Sequence, residues 1–262
     1  MSHQNMSSSL LREGLIEAGR LLTRWRRDRA VLMGSLLLPV ALLLLYVLVL
    51  GDRVRAITGA HSVYGLVPTC LVLSALFGTL GNAVSLTMDR ESGLLTKMWL
   101  LPVHRACAIT GRLIAEATRA LIGSILIAAL GMVLGLRFAH GWAAAVLYLL
   151  IPSVVAIGFT ALVAALVLSS RGRAYTTWLV GGVVAMAFIN PGITPIGLFP
   201  DWMQPFVRFQ PMSPPIEAMR GLAYGGPLAW PLAMTFIWAI SLLIVFLPLA
   251  VRSYGRAAES HG

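Results

Sequence analysis

Leu11, Leu15, Ala18, Leu22 and Trp25 recur at spacings of four, three, four and three, while Arg20, Arg24 and Arg27 fall on the other side of the same helical wheel. This pattern predicts an amphipathic helix over residues 8–29, lying at the interface of an anionic leaflet. Six apolar segments follow, at about 31–50, 66–88, 115–136, 142–168, 176–193 and 228–251. Each is long enough to cross roughly 30 Å of hydrocarbon as a helix. The expected fold is all-α and membrane-integral: one domain over residues 1–262, with six transmembrane helices.

The segment before the last span, 194–227, does not fit either category. Gly192, Pro195, Gly197, Pro200 and Pro205 break any continuous helix there, yet Phe199, Trp202, Phe206 and Val207 keep it apolar. Backbone of this kind is stable at membrane depth only where protein or water satisfies its polar groups. Either short re-entrant helices dipping into the outer leaflet beside a pathway or an amphipathic loop resting on the surface is therefore expected; in the first case Phe199, Trp202, Pro205, Phe206 and Gln210 would form an outer gate.

Charge sets the orientation. Residues 1–30, 89–114, 169–175 and 252–262 carry fourteen Lys and Arg, against five in 51–65, 137–141 and 194–227. The richer side is cytoplasmic by the positive-inside rule, so both termini are expected there. The net charge of +10 does not mark a nucleic-acid binder, because the arginines are spread between apolar runs and form no single basic face. Only 11% of the 262 residues are charged, against roughly 25% in an ordinary soluble domain.

Several chemistries lack their residues. A phosphate-binding loop ends in Gly-Lys-Ser/Thr, but the one lysine, Lys97, is followed by Met98. There is no His-Glu-x-x-His and no Gly-x-Ser-x-Gly, and the five histidines are scattered over termini and loops. No catalytic residue, metal site or cofactor is expected in this chain, and Cys70 and Cys107 are read as free thiols near opposite faces. Glu116 and Arg119, three residues apart, share one helix face where the third span begins; they are read as an ion pair near the cytoplasmic interface, with an inner gate or subunit contact as the sharper role. Gly131 and Gly135 form a weak Gly-x-x-x-Gly packing signal.

The segment 91–101 is the most informative. Leu94, Met98 and Leu101 share a helical stripe, Glu91 stands near its start and Pro102 ends it, with Gly93 and Lys97 between. An amphipathic cytoplasmic helix of this kind can dock in the groove of a soluble partner.

At this loop the sequence resembles the membrane subunits of type-2 ABC exporters. That family shows an acidic-basic-Glu-x-Gly pattern after the second span and a Pro-Val/Ser-x-Arg pattern before the third. Here they are Asp89-Arg90-Glu91-Ser92-Gly93 and Pro102-Val103-His104-Arg105. The chain looks most like the daunorubicin-resistance-type branch, which includes actinobacterial permeases for drugs and cell-wall lipids. Leu21 to Trp25, Trp202 to Val207 with Gln210-Pro211, and Ala218 to Leu222 with Gly225-Gly226-Pro227 carry the same likeness. Leu94 departs from the threonine common after the glycine.

The resemblance implies a six-span permease with a coupling helix over 91–101 and re-entrant helices before span six. It further implies two partner ATPase subunits that hold ATP and magnesium, and a second permease subunit, a related chain being favoured over an identical copy. The cargo would be a lipid-like or amphiphilic drug-like molecule. Two other classes stay open, an ion-coupled secondary transporter and a non-transporting membrane scaffold; sparse intramembrane charge speaks against the first.

Overall fold

Apolar runs that must satisfy their own backbone in lipid become helices, and the computed structural model of the chain describes residues 3–27, 39–49, 62–91, 107–169 and 172–259, with positions 37, 51 and 56. Helix α1 spans His3–Arg27, α2 Pro39–Val49, α3 Val63–Glu91, α4 Cys107–Val133, α5 Gly141–Val167 and α6 Gly172–Phe188. A 3₁₀ turn at Ile196–Leu198 leads to the short α7, Gln204–Phe209, then to α8, Ser213–Tyr224, and α9, Ala229–Glu259. Among the described residues, α3, α4, α5 and α9 contain stretches long and apolar enough to cross a membrane, and α2 and the bulk of α6 are shorter apolar helices. The chain is an all-α integral membrane protein.

Helix α5 stands at the centre, packed against α3, α4, α6, α8 and α9. Helix α3 is enclosed almost entirely, whereas α9 leaves most of its apolar surface free, with Phe236, Ile240 and Ile244 exposed. Two positions use glycine for close approach. A Cβ on Gly158 of α5 would lie 2.9 Å from the backbone of Ala239 in α9. One on Gly111 of α4 would lie 2.6 Å from Glu17 and 3.1 Å from the Gly14 carbonyl of α1.

That second crossing revises the reading of α1. The face it buries is Gly14, Glu17 and Ala18, set against α4, and Leu15 of the expected apolar stripe remains 60% exposed. The helix is thus fixed to the bundle by small residues and leaves Leu15 and Ile16 free. Gly111→Val should loosen α1 by about 1–3 kcal/mol, the usual cost of overpacking. Limited proteolysis of the purified protein should then cut faster within α1 while the apolar helices stay intact.

Several boundaries differ from the hydropathy reading. Helix α4 begins at Cys107, not near 115, because Arg112, Glu116 and Arg119, which interrupt the apolar run, are all paired inside the bundle. Helix α6 ends at Phe188, ahead of the expected 193: Pro191 cannot donate a backbone hydrogen bond and disfavours helix at Asn190 before it. Helix α9 runs beyond 251 to Glu259. Gly135 lies past the end of α4 with φ +108°, a termination position that favours glycine, so only Gly131 packs, against Val67. The first part of the expected span 31–50 lies outside the described residues.

Candidate functional site

A polar seam joins α3 to α4. Residues 75, 78, 82 and 89 recur at three, four and seven along α3, and 112, 116 and 119 at four and three along α4, so each set lines one helix face. At one end of the seam Asp89 is held from two sides: Oδ2 accepts from Arg112 at 2.5 Å and Oδ1 from Arg24 of α1 at 2.8 Å. Arg112 also donates to Asn82 Oδ1 at 2.8 Å. Asp89 and Arg112 are buried, and Arg24 reaches in from the exposed side of α1. Beside them Arg20 pairs with Glu17 at 2.6 Å, and this bond raises the Arg20 pKa above its ordinary value, against the lowering effect of burial.

Further along the seam Arg119 binds Glu116 at 2.8 Å, the two residues being 5% and 7% exposed. Counting 1.5 Å per residue, Arg119 lies about 18 Å into α4, near its middle. The pair therefore sits half-way along the helix, deeper than expected from a span starting at 115. It faces α3 within this chain: the guanidinium lies against the Ala75 carbonyl at 3.4 Å and fills the space beside Gly78, where any Cβ would overlap it.

The expected coupling residues Gly93, Leu94, Lys97, Met98, Leu101 and Pro102 lie outside the described residues. Glu91 is the last residue of α3, with its side chain likewise outside them. What the structure does place is their frame: the Asp89–Arg112 pair ties together the two helices between which they run.

The expected outer-gate residues separate. Trp202 and Phe206 are 80% and 61% exposed, and Phe199 is partly buried. Pro205 is exposed in α7 and the chain there carries Arg208, whose guanidinium stacks 4.9 Å from the Trp230 ring. Gln210 turns inward and is 4% exposed; its amide donates to the Ile189 carbonyl and to Ser213 Oγ at 2.9 Å. Residues missed by sequence reasoning lie beside it, namely Thr69, Asn190 and Gly192. The Asn-Pro-Gly run at 190–192 was the available signal, since it breaks a helix where a buried partner must then satisfy the freed groups. Glu217 of α8 is half-buried, and burial raises its carboxyl above the ordinary range, against the opposing pull of Arg220 and Arg208.

A bundle of apolar helices stitched by internal ion pairs defines a multi-pass membrane protein with no charge wasted on the lipid side of its central helix. Residues 16–224 match the family described as ABC-2 type transporter. The chain belongs to that family. It is 34% identical, over 97% of its length and 92% of the relative's, to the probable doxorubicin resistance ABC transporter permease protein DrrC of Mycobacterium tuberculosis. It is 26% identical, over 88% of its length and 81% of the relative's, to the daunorubicin resistance ABC transporter permease protein DrrB1 of Streptomyces coeruleorubidus.

Proposed function

We propose that this chain is the permease subunit of an exporter that moves an amphiphilic, drug-like or lipid-like molecule outward across a bacterial plasma membrane, driven by ATP hydrolysis on a separate ATPase subunit. The observation that carries this reading is near-full-length similarity to a permease named for doxorubicin resistance, in a chain whose sole lysine is not followed by Ser or Thr. ATP and magnesium would sit on two partner ATPase subunits, and a second, related permease would complete the pathway. Both termini would be cytoplasmic, so the end of the bundle carrying Asp89 and α1 would face the ATPase.

In this reading the segment 91–101 receives the ATPase movement. Glu91 orients it by charge, Leu94, Met98 and Leu101 fill the partner's groove, and Gly93, Lys97 and Pro102 shape its ends. The Asp89–Arg112 and Asp89–Arg24 bonds pass the movement into α3, α4 and α1 together. Glu116 and Arg119 act as an inner gate or a subunit contact of the pathway, and Phe199, Trp202, Pro205, Phe206 and Gln210 as its outer gate.

The test is efflux of doxorubicin, used as the probe amphiphile, from vesicles holding the permease with its ATPase. Efflux should require ATP, and Leu94→Asp or Met98→Asp should reduce it at least about tenfold, because a charge in an apolar groove is left desolvated at a cost of a few kcal/mol. The variants should fold normally, since Leu94 and Met98 stand outside the apolar spans in the sequence. Efflux that follows an ion gradient without ATP would favour a secondary transporter.

A further inference from the structure

A polar joint lies at the other end of α3, away from Asp89. Thr69 donates its single hydroxyl proton to Gly65 O of its own helix at 2.8 Å and shares it with Asn190 Oδ1 at 3.2 Å. Asn190 Oδ1 accepts from the Gly192 backbone at 3.0 Å, and its amide donates to Ala187 O at 2.6 Å. Since Gly192 N–H can only donate, the orientation of this amide is fixed. The backbones of Gly65 and Gly192 touch, leaving no room for a Cβ on either. Asn190, Thr69 and Gly192 are all buried.

Two features separate this joint from ordinary loop packing. It grips the most enclosed helix of the bundle, whose opposite end carries Asp89 about 30 Å away. And its contact with the following segment is only half-satisfied: Gln210 holds the Ile189 carbonyl, yet its own Oε1 is buried and has no hydrogen-bond partner among the described residues. A buried acceptor left unpaired favours any movement that brings it to water or to another donor. The fixed grip is thus at Asn190, and the contact poised to open is at Gln210.

We propose that Thr69, Asn190 and Gly192 form the outlet joint of α3, through which a displacement at Asp89 is delivered to the segment 196–210, with Gln210 as the contact that releases. Helix α3 is the rod, Asn190 its coupling pin and the exposed aromatics Trp202 and Phe206 the part that moves. These are positioning residues; none is required to touch cargo. The proposal rests on the ATP-driven reading above.

The experiment uses the permease with its ATPase in nanodiscs, with Cys107→Ser and the buried Cys70 left in place. Single fluorescent labels report from Thr23→Cys on α1 or Trp202→Cys near α7. ATP under conditions that block hydrolysis should change both signals. Asn190→Leu, and the milder Thr69→Val, should weaken the response at 202 at least about fivefold, the lower end of ordinary coupling effects, while leaving that at 23 unchanged. Thr69→Ser, which keeps the hydroxyl, should retain both. An undiminished response at 202 in Thr69→Val and Asn190→Leu overturns the joint. So does loss at both positions, which would mean that these residues merely hold α3 in place. If neither label responds in the otherwise unaltered protein, it is the ATP-driven reading that falls, and the joint with it.

Discussion

Asp89→Ala is expected to lower the stability of the purified protein by about 3–5 kcal/mol, the range found when one partner of a buried ion pair is removed. Arg112 is the reason: it is 4% exposed and would lose its carboxylate, keeping the neutral Asn82 as a hydrogen-bond partner. The bond from half-exposed Arg24 contributes little by comparison, because solvent screens it. Asp89→Ala combined with Arg112→Leu should recover most of the loss, as an apolar pair does not strand a charge. Denaturant unfolding in mixed micelles measures both. A single variant as stable as the parent would mean that water reaches Arg112, and the clasp between α3, α4 and α1 would have to be abandoned.

Gly78→Ala should be nearly as costly, although it adds one methyl group. That methyl would overlap the Arg119 guanidinium, which must then leave its seat and strand Glu116 in a buried site. The expected loss is again about 3–5 kcal/mol. Alanine is otherwise the better helix former by about 1 kcal/mol, so mere helix propensity predicts the opposite sign. Replacing Glu116 and Arg119 together by Gln and Leu should make Gly78→Ala harmless. The same unfolding measurement applies; a Gly78→Ala variant at least as stable as the parent contradicts the seat.

The helices were legible in the sequence because unbroken apolar length decides them, and the central span was placed within a residue of α5 at both ends. Charges misled the boundary of α4: Arg112 reads as the end of a membrane segment, and only Asp89 on another helix shows that it is inside. The spacing of Glu116 and Arg119 announced a pair, yet its depth depended on that misplaced boundary. The grip of Asn190 on Thr69 was not legible, since the two are 121 positions apart and neither residue type is unusual for a loop or a helix. Likewise the apolar stripe of α1 did not show its packed side: Ala18 of the stripe is buried while Leu15 stays exposed, because Gly14 and Gly111 let α1 and α4 approach closely.

Whether a separate ATPase drives this permease is read by gentle purification of the tagged chain from its native host into nanodiscs, followed by mass spectrometry of the intact complex. Two ABC ATPase subunits with this chain and a second permease are expected. A folded, intact preparation that contains no ATPase would contradict the ATP-driven reading.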